Sequence, residues 1–226
     1  MKSKFSIRTN TSLLLTLSFV LLACVFSSCK KDSDNDNTIK VSGIVVTNAA
    51  ATLDPQDVYF DSQKGNISPI VYTQTLGYYG VTGNPTVSFQ NSMTGVLTAS
   101  SGTSLVLGNY YSIFLTDDKT VNIYDIDRTA TPSGKARIRF INLTTAAGSN
   151  VDFGLKGGAK LVTALTYKAA SSYQTVDAAS AFSLYTGGSS TILLDIPVTL
   201  QSGVVYSLYI SGATNTSLTY KLIIEN

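Results

Sequence analysis

Aspartate, tyrosine and cysteine are the side chains of this sequence that could perform chemistry, because its 226 residues include no histidine. Histidine is the usual general base at neutral pH and the commonest metal ligand. Its absence excludes Ser-His-Asp and Cys-His catalysis, and also His-based zinc or iron sites. The sequence contains no nucleophile elbow, Walker-type loop or dinucleotide-binding glycine pattern. Carboxylates therefore remain as the acid and base groups.

Three aspartates lie close together in and around DPQDVYFD, at Asp54, Asp57 and Asp61. Calcium takes several oxygen ligands, often from one loop, so these three are the candidate calcium ligands. The segment lacks the Asp-x-Asp-x-Asp-Gly spacing of a calcium loop, and aspartate is common in turns at strand ends. The sequence therefore favours turn-forming roles and predicts no metal site. A carboxylate pair for glycoside hydrolysis needs a cleft, which small sandwiches seldom provide.

Tyrosine is the third residue type to weigh, since the sequence has 13 tyrosines and no tryptophan. Exposed tyrosines can anchor a protein partner or stack on a sugar. Most of these tyrosines occupy positions that recur in the internal repeat described below, which favours core and sheet-surface roles. The segment LGYYG at 76–80 is the exception, and it makes Tyr78 and Tyr79 the candidate ligand contacts.

The N-terminus combines basic residues with the apolar segment 13–26, which is the pattern of a secretory signal. The apolar segment is shorter than the roughly 20 residues of a spanning helix. If Lys2, Lys4 and Arg8 leave with the signal, 13 basic and 14 acidic side chains remain. A near-neutral chain of this kind argues against nucleic-acid binding.

Two cysteines mark alternative ends of this signal, Cys24 in LLAC and Cys29 in FSSC. Both segments resemble the bacterial lipobox, in which the cysteine is acylated and becomes the mature N-terminus. Cleavage before Cys29 leaves the polar sequence CKKDSDNDN, which suits a tether, whereas cleavage before Cys24 leaves an apolar pair behind the lipid. The sequence therefore favours a lipoprotein signal peptide at 1–28, lipidation by palmitate-type chains at Cys29 and a polar tether at 29–38, with Cys24 as the alternative site.

An internal repeat with a spacing of 95 residues organises the rest of the chain. LVLGNYYSIFL at 105–115 and LQSGVVYSLYI at 200–210 share a Leu-x-x-Gly-x-x-Tyr-Ser pattern. Several matches at one spacing indicate duplicated units. Further pairs at this spacing are Asp57 with Asp152, Tyr72 with Tyr167, and Tyr78 with Tyr173, while IVVTN at 44–48 matches IRFIN at 138–142 at a spacing of 94.

Short runs of β-branched and aromatic residues, separated by Gly, Asn, Pro and Ser, predict strands throughout these units. We expect an all-β protein with two tandem Ig-like antiparallel β-sandwich domains of about seven strands each. The expected boundaries are 39–126 for the diverged first repeat, 127–134 for a linker and 135–226 for the second repeat. A single larger barrel built from both halves is the alternative, because the linker is short enough to be a loop.

The repeated strand has two distinguishable faces. Gly108 precedes it at a position that needs a positive φ, and Tyr111 and Leu115 share the face assigned to the core. Phe114 lies on the opposite face, as does Tyr209 in the second unit. The sequence favours burial of these two aromatic side chains against the linker or the sister domain over exposure to a ligand.

The segment 136–176, followed by VTLQSGVVYSLYISG, resembles the family called domain of unknown function 4397. Members typically show an opening RFIN strand, a VDVYVDG-like segment, an SSYQTV-like segment and a closing GKVYTL-like strand. The second unit carries the resemblance, while the first keeps DVYFDS and GNYYSIFL but not SSYQTV. The resemblance implies an extracytoplasmic β-sandwich and no catalytic residues.

Together these observations predict a lipoprotein of the Gram-negative outer membrane, anchored through its N-terminal lipid. A charged segment after Cys29 resembles the export tag of surface-displayed lipoproteins, which favours the cell surface over the periplasm. The tandem sandwiches are expected to act as interaction or spacer modules, without catalysis or a cofactor. An envelope protein or a polysaccharide is the expected partner, and a surface glycan-binding lipoprotein is the alternative function.

Overall fold

Sixteen strands and no helix make up residues 40–225, the part of the chain that this computed structural model describes. No segment in this part of the chain has the helical length and hydropathy needed to cross a bilayer. The first eight strands are β1 (Ser42–Asn48), β2 (Gln56–Phe60), β3 (Gln63–Lys64), β4 (Thr75–Val81), β5 (Thr86–Asn91), β6 (Leu97–Gly102), β7 (Tyr110–Leu115) and β8 (Val121–Ile126). The other eight are β9 (Lys135–Asn142), β10 (Asn150–Leu155), β11 (Lys160–Thr166), β12 (Gln174–Asp177), β13 (Phe182–Thr186), β14 (Ile192–Ile196), β15 (Val205–Ser211) and β16 (Thr219–Ile224).

Each half of the described chain forms two four-stranded sheets. The strand orders are β4-β1-β7-β8 and β3-β2-β5-β6 in the first half, and β12-β9-β15-β16 and β11-β10-β13-β14 in the second. The two sets correspond strand for strand, so the sequence repeat is a repeat of a whole sandwich. The predicted all-β tandem-sandwich architecture is confirmed, with eight strands in each sandwich instead of about seven.

One strand pairing in each sandwich is parallel, a detail that the expectation of antiparallel sandwiches did not include. Strand β1 pairs in parallel with β7, and β9 pairs in parallel with β15. A parallel pair needs a long crossover connection, and β2 to β6 supply it in the first sandwich. Side-chain alternation has the same period in both pairing modes, so the sequence pattern could not distinguish them.

Each sandwich has its own apolar core between its two sheets. Tyr111 and Leu115 point into the first core, as predicted from strand alternation, and Gly108 has the expected positive φ of 90°. The second core is built in the same way around strands β9, β10, β13 and β15. The buried aromatic residues of this second core are Phe140, Phe153, Phe182 and Tyr206.

A third cluster of buried residues joins the first sandwich to the second. Phe114 and Tyr209 are fully buried there, and their ring centroids lie 5.2 Å apart in an edge-on arrangement. These residues occupy equivalent positions in β7 and β15, on the faces that point away from the two cores. The prediction that they are buried against the sister domain is confirmed.

Polar contacts around this cluster occur in equivalent pairs. A contact from the first sandwich to the second has a counterpart, at the repeat-equivalent residues, from the second sandwich to the first. The hydroxyl oxygens of Tyr72 and Ser211 lie 2.9 Å apart. Tyr167, the equivalent of Tyr72, likewise interacts with Thr116, the equivalent of Ser211. The two sandwiches therefore contact each other with the same surface, as the subunits of a two-fold dimer do.

Candidate ligand-binding site

The structure places the three candidate calcium ligands in separate interactions. The Asp57 carboxylate lies 2.8 Å from the Lys64 ammonium group, and Asp61 accepts a hydrogen bond from the backbone N–H of Thr86 at the start of β5. Asp54 accepts a hydrogen bond from Asn91 in a different cleft of about 320 Å³. Within residues 40–225 no group of three or more acidic residues is placed to hold a metal ion.

The aspartate that recurs in both repeats has a structural role in the second sandwich. Asp152 accepts hydrogen bonds from the backbone N–H groups of Ala164 and Gly188, and it pairs with Lys160 at 3.1 Å. Burial alone would raise the pKa of Asp152, but these contacts outweigh burial and lower the pKa. The carboxylate therefore stays charged and fastens the β10–β11 hairpin, as turn-forming aspartates do.

The two tyrosines of LGYYG have different environments, because successive residues of β4 point to opposite faces. The Tyr79 ring stacks on Phe60 with a centroid separation of 4.5 Å and packs against the first core. Tyr78 lies on the outer face and is 45% exposed. Of the two candidate ligand contacts, Tyr78 is the more exposed.

Tyr78 lies next to a row of paired residues that crosses the whole sheet. In this register Gly80 of β4 lies beside Gly43 of β1, Gly43 beside Tyr110 of β7, and Tyr110 beside Ile126 of β8. Residues opposite each other in neighbouring strands share a face. Tyr78 precedes Gly80 by two positions, so its side chain lies on the same outer face.

Gly43 allows the Tyr110 ring to lie flat across β1. A Cβ atom on residue 43 would come within 2.4 Å of a Tyr110 ring carbon. Glycine inside a strand often marks such a close approach. The Tyr110 ring then meets the Tyr78 ring edge-on, with 5.8 Å between the centroids.

Arg128 completes this surface just beyond the end of β8. Its guanidinium carbon lies 4.0 Å from the centre of the Tyr110 ring, in cation–π geometry. The space around the pair is an open cleft of about 440 Å³ with no acidic side chain in its lining. We call this space the Tyr110 cleft, and its lining residues are Gly108, Asn109, Tyr110, Ile126 and Arg128.

The Tyr78 hydroxyl, which borders the Tyr110 cleft, is neutral at physiological pH. Partial burial, together with the charge of Glu225, raises the pKa of Tyr78 to about 12. A neutral phenol can both donate and accept a hydrogen bond. The cleft thus combines an aromatic face, a neutral hydroxyl and a guanidinium group.

The equivalent positions of the second sandwich hold different side chains. Arg137 of β9 occupies the position of Gly43, and Val205 occupies the position of Tyr110. Arg137 lies over the ring of Tyr173, the equivalent of Tyr78, at 5.0 Å. Its guanidinium also pairs with Asp127 at 2.5 Å. The arrangement of a tyrosine ring over a glycine is therefore not repeated at these positions of the second sandwich.

Sequence reasoning identified Tyr78 but missed Gly43, Tyr110 and Arg128. A glycine at the start of the valine-rich strand KVSGIVV was the available signal for Gly43. Tyr110 and Arg128 come together through the β7–β8 pairing, which no local pattern reveals. The predicted lipidation sites Cys29 and Cys24 lie outside the described residues.

Comparisons with known proteins give a family and no function. No curated protein matches the chain. One solved structure that is similar is CBMbc, a family CBM26 module of Eubacterium rectale Amy13K, in complex with maltoheptaose. It has 12% sequence identity, covers 81% of this chain and 97% of its own, and has a TM-score of 0.25. A TM-score this low supports no argument about the fold or ligand of this chain.

The model of the domain of unknown function family DUF4397 matches residues 42–154. This match covers the whole first sandwich, strand β9 and all but the last residue of strand β10. The family inferred from the sequence is confirmed, although the match lies mainly on the unit that looked more diverged. The chain belongs to the DUF4397 family.

Proposed function

We propose that this chain is a lipid-anchored, non-catalytic binding module of the bacterial envelope, with the Tyr110 cleft as its ligand site. The tandem β-sandwich architecture provides the scaffold for an interaction module. The anchor is proposed at Cys29, because the polar sequence behind it suits a tether between lipid and domain. The location proposed is the outer membrane of a Gram-negative bacterium, on the surface side.

The observation that carries the binding role is the placement of Tyr78, Tyr110 and Arg128 on one open face. A purely mechanical spacer has no use for a guanidinium held by an aromatic ring beside a second, exposed ring. Gly43 keeps this face free of a side chain that would displace Tyr110. Aromatic and arginine side chains are also the residues that contribute most to binding at protein surfaces.

The chemistry of the cleft supports binding without catalysis. General acid–base catalysis needs a group whose pKa lies near the working pH. The lining of the Tyr110 cleft has no carboxylate, histidine or cysteine, and the pKa of the bordering Tyr78 is raised to about 12. The side chains present can stack on a ligand and donate hydrogen bonds to it.

A glycan is the ligand class that this geometry favours. Sugar rings pack on exposed aromatic faces, and their hydroxyl groups need nearby donors and acceptors. Tyr78 offers the aromatic face, while the exposed Asn109 and Arg128 offer polar groups at the rim. The open shape also suits an extended chain, because a polymer can run along the cleft without entering a closed pocket.

Pull-down of the detergent-solubilised, full-length protein from its own envelope tests this function. We expect the wild type to retain surface polysaccharide, and a Tyr78→Ser variant to lose it. Ile192→Ser is the matched control, since Ile192 is 52% exposed on the second sandwich, far in sequence from the cleft. Equal recovery of polysaccharide with the Tyr78 and Ile192 variants would argue against the Tyr110 cleft as the binding site.

A further inference from the structure

The three arginines of residues 40–225 differ in how their charges are compensated. Arg137 pairs with Asp127 at 2.5 Å, and Arg139 pairs with Glu225 at 2.8 Å. Arg128 has no carboxylate partner among the described residues, and its guanidinium rests on the Tyr110 ring. A positive charge is therefore held in a fixed place at the surface without a protein counter-charge.

Stacking on an aromatic ring leaves the edge of a guanidinium free. This edge carries N–H groups in a planar fork that matches a carboxylate with two parallel hydrogen bonds. The ring contact also restricts the side chain, so less conformational entropy is lost when the fork binds an anion. The exposed Asn109 adds a neutral hydrogen-bonding group at the same rim.

The surface beside Arg128 is shaped for a ring. The Tyr110 ring covers Gly43, and Gly80 beside it adds no side chain, so no further side chain rises from these two positions. The Tyr78 ring stands next to them, nearly perpendicular to the ring of Tyr110, at 82°. A pyranose ring packed on Tyr78 can direct a carboxylate substituent toward Arg128.

We infer that the Tyr110 cleft binds an acidic polysaccharide, with Arg128 holding the carboxylate of a uronic acid residue and Tyr78 stacking on its sugar ring. This inference rests on the proposed glycan-binding function and adds the charge of the ligand. The Arg128 guanidinium has no carboxylate partner among the described residues, so its charge is complementary to a surface polymer that carries regularly spaced carboxylates.

Polygalacturonate is the test probe, and its fully methyl-esterified form is the matched ligand control because only the carboxylates differ. Affinity would be measured with the full-length lipoprotein in detergent micelles, by affinity electrophoresis at low ionic strength. We expect the wild type to prefer the free acid, and Arg128→Gln to lose this preference with a roughly tenfold weaker affinity. Lys221→Gln removes one exposed positive charge elsewhere and should leave the affinity unchanged.

The outcomes separate this inference from the function on which it rests. Equal affinity of the wild type for the free acid and the ester, with loss of both in Tyr78→Ser, would retain glycan binding and overturn the role of Arg128. Binding of poly-glutamate as tight as that of polygalacturonate would overturn the sugar specificity. No binding of either polysaccharide by the wild type would overturn this inference, while retention of envelope polysaccharide in the pull-down would still support the proposed function.

Discussion

Arg139 and Glu225 form an ion pair of 2.8 Å that is sealed between the two sandwiches. The exposed fractions of their side chains are 4% and 0%. Glu225 also accepts hydrogen bonds from Ser112, Ser207 and Tyr173, at 2.7, 2.6 and 2.5 Å. The penultimate residue of the chain thus joins strands of both halves.

In the first sandwich, apolar residues occupy the positions equivalent to Arg139 and Glu225. Val45 is the equivalent of Arg139, and Ile126 is the equivalent of Glu225, by the pairing registers of β7 and β15. Both apolar residues belong to the cluster between the sandwiches. One side of the interface is therefore apolar where the other contains the buried ion pair.

Replacing one partner of this pair should destabilise the protein strongly. Glu225→Gln leaves the Arg139 charge buried without a counter-charge, which costs about 3 to 5 kcal/mol in comparable cases. The free energy of unfolding, measured with a chemical denaturant, checks this expectation. A loss below about 1 kcal/mol would mean that water reaches Arg139 when the pair is broken.

The double substitution Arg139→Val with Glu225→Ile copies the apolar arrangement of the other side. Replacement of a buried ion pair by packed apolar residues is neutral or stabilising in comparable cases, by up to about 4 kcal/mol. We expect the double variant to be more stable than Glu225→Gln, and to lose some stability relative to the wild type because the hydroxyl groups of Ser112, Ser207 and Tyr173 lose an acceptor. A double variant as unstable as Glu225→Gln would show that the ion pair itself stabilises the interface.

Stability should fall in acid because Asp118 joins the two sandwiches by pairing with Lys168. Burial alone would raise the pKa of Asp118, but hydrogen bonds from Lys168, Thr116 and Thr120 outweigh burial and lower the pKa to about 2. A pKa lowered by folding stabilises the protein above the unfolded value of about 3.9, and this stabilisation is lost as the pH falls toward the folded value. The free energy of unfolding, measured with urea between about pH 4 and pH 2, should depend less on pH in Asp118→Asn than in the wild type. If the free energy of unfolding of Asp118→Asn changes with pH as steeply as that of the wild type, the acid sensitivity belongs to other carboxylates, such as Asp127.

Gly43→Ala should disturb the Tyr110 cleft while leaving the fold intact. The new Cβ would lie 2.4 Å from a Tyr110 ring carbon, so the ring must move away from β1, which changes its contact with Arg128. We expect a changed tyrosine near-UV circular dichroism spectrum and weaker ligand binding. Gly77→Ala in β4 is the control, because its Cβ would meet no atom within 4 Å. Identical spectra and affinities for both variants would contradict the role assigned to Gly43.

Lipidation should depend on Cys29. Metabolic labelling with a palmitate analogue should be lost in Cys29→Ala and retained in Cys24→Ala, because only Cys29 is followed at once by a polar tether. Gel fluorescence of the purified protein measures the label. The reverse pattern would move the anchor to Cys24.

Strand alternation and repeat spacing predicted the features that depend on local sequence. The core-facing Tyr111, the turn at Gly108 and the buried Phe114 follow from a period of two and from the freedom of glycine at positive φ. These features recur in both units, and the repetition made them visible.

Features that depend on distant pairings escaped prediction. The parallel pairing of β1 with β7 brings Gly43 to Tyr110 across 66 intervening residues, and side-chain alternation does not encode such a partner. The Arg139–Glu225 pair likewise joins residues 86 positions apart. The sequence around a charged residue does not indicate whether its ion-pair partner belongs to the protein or to a ligand.

Site-specific photo-cross-linking in intact cells tests the central claim that the Tyr110 cleft is a binding site. A benzoylphenylalanine residue would replace Tyr78 in one strain and Ile192, 52% exposed on the second sandwich, in another. We expect a light-dependent polysaccharide adduct at position 78 and none at position 192. No adduct at position 78, or adducts of equal yield at both positions, would contradict the claim.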